Sequence, residues 1–231
     1  METRQSDQFL EENGGIAIQP ILTASAVAID FDFTTSDPSK SRADEIRVLL
    51  VKNKKPPRKS KEGKPGGVGL PTGQFESKES ASKAVERETE DETGCLVEGF
   101  IGKLFVVNKR LKIDGEIVPN EIHVFLVRAS EVLYKVRETD EIDGSVEPWT
   151  PLRQVFQMPF AQDRGGDNKN VNGIYFSHVQ RLYRAIESMV YSPEELIDGE
   201  AIKRWLEPNR RHLVAAMADL ERDGLLEKIQ D

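Results

Sequence analysis

A stretch of 23 residues, 73–95, constrains this chain more than any other: GQFESKESASKAVERETEDETGC carries seven acidic and three basic side chains between two glycines. From residue 81 to 93 it holds no Gly or Pro, and the spacing predicts a helix of 3.6 residues per turn over that span. Ala81, Ala84 and Val85 then mark an inward stripe, while Lys83, Glu86 and Glu90 point away from it. At about 100° per residue, Glu88, Asp91 and Glu92 fall on an arc centred on the apolar side. Glu88 and Glu92 are also a like-charged i, i+4 pair, unfavourable on an isolated helix. Three acids on a half-buried arc need compensation, and hard oxygen ligands gathered so suit Mg²⁺ or Mn²⁺. Periodicity alone leaves two readings open, a cation site and a solvated acidic face.

Spacing carries the segment further. The pattern Gly-x5-Glu-x7-Arg-Glu-U-x-Glu-Glu-x-Gly-U, with U a bulky apolar residue, is the signature of the Nudix hydrolases, and residues 73–95 resemble it at nearly every fixed position. Gly73, Glu79, Arg87, Glu88, Glu92 and Gly94 match, and Asp91 stands where Glu is usual. Thr89 and Cys95 fill the two apolar positions, and the Thr89 hydroxyl, if buried, needs an acceptor such as a carbonyl one turn back. Upstream, Gly69-Leu70-Pro71-Thr72-Gly73 resembles the family's Pro-Gly-Gly lead-in, with Thr72 replacing the first Gly.

The resemblance implies an α+β chain, an α/β/α sandwich with a mixed sheet, that hydrolyses the pyrophosphate bond of a nucleoside diphosphate linked to another moiety. It implies Glu88 and Glu92 as the main metal ligands and as catalytic residues, Asp91 as a further ligand or one acting through water, and the Thr72 carbonyl as another. Arg87 and Glu79 would hold the loop against the helix, and Gly73 and Gly94 complete the structural frame. Pyrophosphate hydrolysis needs phosphate charge neutralised and a water presented in line, which divalent ions on carboxylates achieve. A general base also serves such chemistry. The acidic run 137–142, ahead of Trp149, resembles the base-bearing loop of the ADP-ribose pyrophosphatase branch, with Glu138 the first choice and Glu141 the second.

The rest of the 231-residue chain sets the frame. Its 31% charged and 38% hydrophobic composition fits a charged globular surface over a sizeable core. A net charge of −8 argues against non-specific nucleic-acid binding. A single cysteine, no apolar run of membrane length and no signal-peptide pattern at the start lead to an expectation of the cytoplasm. Residues 1–15 read as a polar lead-in, 16–190 as the Nudix-type domain and 191–231 as a helical C-terminal extension. Strands are expected at 21–33, 46–51, 95–108 and 121–128, with a turn at Asp114-Gly115, and a helix at 179–190. Loop 52–64, with seven basic residues against one acidic, is either a polyphosphate-steering element or a solvated insertion. Loop 161–173, with Arg164 and Lys169, is either a lid or a plain connection. His123, His178 and His212 lack metal spacing, and Cys95 is expected in the core.

The tail opens on Ser-Pro-Glu-Glu, a helix-start signal, and a helix is expected from about residue 209 to 222, closed by Gly224. Residues 215–226 are similar to the last helix and wing of a winged-helix module. The rival reading is therefore a non-catalytic nucleotide sensor, a transcriptional regulator. Ten acidic against six basic residues in 191–231 disfavour contact with phosphates. A cap or a homodimer element is the role expected instead.

Overall fold

The structure, a computed structural model, describes residues 19–31, 41–53, 67–113, 115–133, 142, 148–161 and 173–230. It is a mixed α+β sandwich. The element order runs β1 (Ile21–Phe31), α1 (Arg42–Glu45), β2 (Ile46–Leu49), β3 (Val51–Lys52), β4 (Val68–Gly69), β5 (Thr72–Gln74), α2 (Ala81–Thr93), β6 (Val97–Ile113) and β7 (Glu116–Ala129). Then come β8 (Trp149–Pro151), α3 (Leu152–Gln157), β9 (Phe160–Ala161), β10 (Ile174–Tyr175), α4 (Phe176–Tyr191), α5 (Gly199–Arg222) and α6 (Glu227–Gln230).

Strand β1 is the centre of the larger sheet, ordered β6-β7-β1-β2-β8. One edge of β1 runs parallel to β7, with Ala24 opposite His123 and Val27 opposite Leu126. Its other edge is divided. Residues 29–31 pair antiparallel with β2, whereas residues 23–25 pair antiparallel with β5, Ala24 facing Gly73. Between the two partners, Ala26 N–H donates to the Pro71 carbonyl at 3.0 Å. The division of that edge lets the short strand β5 and the turn before it, rather than a long strand, lie beside the sheet centre. A smaller sheet, β3-β4-β10-β9, leads into that turn.

Alternation along β1 assigns the two faces. Ala24, Ala26 and Ala28 pack with Ala84, Val85, Cys95, Phe125 and Trp149 beneath α2. Three alanines in succession leave room for the helix to lie close. Val27 and Ile29 face the other way, into a larger core with Leu182, Ile186 and Met189 of α4 and Leu213, Met217 and Leu220 of α5. Each fully buried aliphatic side chain of this kind contributes about 1.5–3 kcal/mol.

Several elements differ from the sequence reading. The strands expected at 95–108 and 121–128 form a longer hairpin, paired from Val97 opposite Ala129 to Ile113 opposite Glu116, with register shifts between Val97 and Phe105. Both strands prolong the pairing because hydrogen-bonded ladders do not require apolar side chains on both faces. The helix expected from residue 209 starts ten residues sooner, at Gly199, and runs through Pro208. Pro208 has no N–H to offer the Arg204 carbonyl. Ile202 and Leu206 before it, and Leu213, Ala216, Met217 and Leu220 after it, are all buried on one stripe, and that burial outweighs one lost hydrogen bond. Ser192 makes no side-chain cap, and residues 193–195 form only a short 3₁₀ turn. Gly224, with φ 67°, does close α5, its N–H donating to the Glu221 carbonyl.

The tail is bound to the sheet as well as to the core. Ile197 N–H and Asp198 N–H donate to the Leu104 and Lys103 carbonyls of edge strand β6, at 3.1 and 3.0 Å. Arg153 of α3 pairs with Asp44 of α1 at 3.1 Å and with Asp223 after α5. No helix among the described residues is long and apolar enough to cross a membrane.

Candidate active site

Helix α2 spans the residues the spacing predicts, and its ends are well defined. Ser80 caps the start, its hydroxyl accepting from Lys83 N–H at 3.3 Å, as a polar residue at this position is suited to do. Gly94 ends the helix with φ 72°, a left-handed conformation that side chains disfavour. The buried stripe is Ala84, Val85, Thr89 and Thr93.

Arg87 ties the helix to the loop before it. Its Nε and Nη2 donate to the two Glu79 oxygens at 3.0 and 2.9 Å, and Nη2 also reaches the Gln74 carbonyl at 2.9 Å. Hydrogen bonding to Arg87 lowers the Glu79 carboxyl below the usual range, while Glu79 foremost raises the Arg87 guanidinium. The two-pronged geometry matters, since a planar guanidinium fixes the carboxylate's orientation as well as its distance.

Glu88 sits inside this frame. Its side chain is 16% exposed and accepts from Arg87 Nη1 at 2.6 Å. Burial pushes its carboxyl up, against the pull of Arg87 and helped by the charge of Asp91. Gly73 lies directly over it, and a Cβ there would collide with the Glu88 carboxylate. One turn on, Glu92 Oε2 accepts the Thr72 backbone N–H at 3.0 Å. Glu88 and Glu92 thus both face β5.

Asp91 departs from the arc drawn from sequence. It is exposed, not on the apolar side. The deviation has a plain geometric cause: the true stripe centres on Val85, Thr89 and Thr93, which turns residue 91 outward. Thr89 also differs. It is fully buried, and its hydroxyl finds no hydrogen-bond partner among the described residues. Its carbonyl instead accepts from Thr93 Oγ1 at 2.6 Å.

Two histidines missed by sequence reasoning stand near the site. His123, facing Phe75 at 5.5 Å between ring centroids, lies between Lys103 Nζ at 2.8 Å and Glu121 Oε1 at 2.6 Å. His178 accepts from Leu70 N–H through Nδ1 at 2.9 Å. Lys103 lies 20 residues from His123 and Leu70 lies 108 from His178, so local spacing signals neither of these contacts. Cys95 is buried in the core. Glu138 and Glu141 lie outside the described residues, as do residues 54–64 and 162–172 of the two loops.

Among the described residues, no group of three or more Asp, Glu, His or Cys side chains is gathered as a metal cluster in this arrangement. The donor chemistry nevertheless fits a hard divalent cation. Two carboxylates one turn apart face the same short strand, and each accepts a hydrogen bond, Glu88 from a guanidinium and Glu92 from a backbone amide N–H. At Glu88 burial outweighs the pull of Arg87 and raises the carboxyl, so a further positive charge beside it would favour the ionised form.

A family model, that of the NUDIX domain, matches residues 40–169, more than half the chain. The chain belongs to the Nudix family. Among solved structures, it is similar to a MutT NUDIX hydrolase from Burkholderia pseudomallei, 24% identical over 63% of this chain and 92% of that one, at a TM-score of 0.44. It is similar to the NUDIX domain of Shewanella oneidensis NrtR complexed with ADP ribose, 18% identical over 80% and 98%, at 0.46. A MutT/nudix protein from Enterococcus faecalis is 19% identical over 85% and 72%, at 0.44. No curated protein matches the chain in sequence. The Nudix frame here is thus α2 on one face of the sheet, α4 and α5 on the other, and β5 at the divided edge of β1.

Proposed function

We propose that this Nudix protein is a divalent-metal-dependent pyrophosphohydrolase acting on a nucleoside diphosphate joined to another moiety, ADP-ribose or a nucleotide sugar being the favoured class. The observation that carries the reading is the placement of Glu88 and Glu92 side by side against β5 at Gly73. Glu88, Glu92 and the Thr72 carbonyl would hold Mg²⁺ or Mn²⁺, with Asp91, exposed at the rim, reaching it through water. When bound, the ion supplies neutralisation of the diphosphate charge and a more acidic water.

The chain's own groups do the rest. Arg87 and Glu79 fix the loop to the helix, so the two carboxylates stand ready before a ligand arrives. Gly73 leaves open the volume that a side chain would take from Glu88. The resemblance of the 137–142 run makes Glu138 the first candidate, and Glu141 the second, to take the proton of the attacking water. The preference for ADP-ribose rests on the same run.

A panel of nucleoside diphosphate sugars, nucleoside triphosphates and dinucleoside polyphosphates, incubated with Mg²⁺ and separated by chromatography, tests this. Cleavage by the parent and a loss of at least about 100-fold in Glu92→Gln are expected. A Glu92→Gln variant as active as the parent overturns the ligand assignment. Tight binding of a nucleotide sugar with no turnover in either protein points to the sensor instead.

A further inference from the structure

Helix α4 lies outside residues 73–95, yet its first turn, with Tyr175 at the end of β10 just before it, holds the strand that runs into them. Gly67 N–H donates to the Tyr175 hydroxyl at 2.8 Å, and Leu70 N–H donates to His178 Nδ1 at 2.9 Å. The two rings sit one helical turn apart, 5.4 Å between centroids. Gly69 packs so tightly against the imidazole that a Cβ there would stand 2.6 Å from Nδ1. Leu70 is 1% exposed, so its amide has no water to turn to. Losing its acceptor would strand a buried donor.

From Leu70 the connection continues through three consecutive residues. The Leu70 carbonyl accepts from Thr72 Oγ1 at 2.9 Å, the Pro71 carbonyl accepts from Ala26 N–H at 3.0 Å, and Thr72 N–H donates to Glu92 at 3.0 Å. Thr72 Oγ1 also meets the fully buried Ser25 hydroxyl at 2.8 Å. The Leu70 amide and carbonyl, the Pro71 carbonyl and the Thr72 amide and hydroxyl are thus all partnered, and His178 holds the upstream end.

We propose that His178 is a positioning residue: by accepting the Leu70 N–H it sets the 70–72 backbone, and through the Thr72 amide the Glu92 carboxylate. The proposal rests on the reading of Glu92 as a metal ligand. Because Nδ1 accepts, the ring carries its proton on Nε2 and is neutral. Burial, with Arg181 and Lys109 nearby, favours that neutral form. Groups that orient ligands without touching the ion commonly alter metal affinity by about 10–100-fold.

The test compares the parent with His178→Asn, which keeps an acceptor close to the Nδ1 position, and His178→Phe, which keeps a ring and removes the acceptor. Mn²⁺ affinity is read by electron paramagnetic resonance without substrate, and Leu70 amide exchange by NMR. His178→Phe is expected to weaken Mn²⁺ binding by about tenfold and to speed Leu70 exchange, with His178→Asn close to the parent in both. Parent-like Mn²⁺ affinity in His178→Phe, or equal losses in both variants, overturns the proposal. If His178→Phe does not fold, Gly69→Ala, which pushes the ring off Leu70, takes its place with the same expected outcomes. Glu92→Gln is run alongside. If it binds Mn²⁺ as the parent does, the metal-site reading fails, and Leu70 exchange alone then decides whether His178 holds the loop.

Discussion

Gly73 and Glu88 are a single packing unit: the glycine exists where the carboxylate needs room. Gly73→Ala is expected to displace Glu88 and lower turnover by roughly 100-fold, the scale of a misplacement of about 1 Å, with the melting temperature near that of the parent. Steady-state kinetics beside a thermal melt checks it. Thr89 makes the opposite case. Its hydroxyl is buried without a partner among the described residues, so Thr89→Val, which replaces it by a methyl of like shape, is expected to stabilise the fold by about 1 kcal/mol. Calorimetry should show a rise of roughly 2–4 °C with unchanged activity. The apolar preference of the pattern at this position made the mismatch visible in sequence. The missing partner was not, because only the packing of α2 on Ala24, Ala26 and Ala28 decides which way residue 89 faces.

Helix α2 was legible to the residue because its signals are local: Ser80 before it, Gly94 after it and alanines between. Strand β5 and the grip of α4 on residues 67–70 were not, since a three-residue strand has no periodicity to read and His178 lies 108 residues from Leu70. The outward turn of Asp91 was missed for a related reason: an arc drawn on a helical wheel needs a known centre, and three alanines of β1 supplied it only in three dimensions. One pH effect belongs to this scale. Burial lowers the His178 pKa well below the usual histidine value. As pH falls below about 6.5 the unfolded chain therefore takes up a proton that the folded one does not, and stability is lost. Denaturant melts at several pH values should show His178→Asn losing less stability than the parent between neutral and mildly acidic pH. Parallel curves would mean the ring titrates normally.

For the molecule as a whole, the tail is the part that sequence described least well. A proline and a run of charged residues hid the continuity of α5, whereas its stripe from Ile202 to Leu220 completes the core opposite α2. Leu213→Ala is expected to cost about 2–5 kcal/mol, read as a drop in denaturation midpoint. A loss below about 0.5 kcal/mol would show the tail to be dispensable to that core. The fold class and the box frame, by contrast, were readable because fixed spacing and alternation are properties of the chain itself. The side-chain convergence that a metal demands depends on the ion as well, and crystals grown with Mn²⁺ and a non-hydrolysable nucleoside diphosphate analogue address it directly. Anomalous density at the manganese edge between Glu88, Glu92 and the diphosphate is the expected result; manganese bound elsewhere, with both carboxylates still held by Arg87 and Thr72, would contradict it.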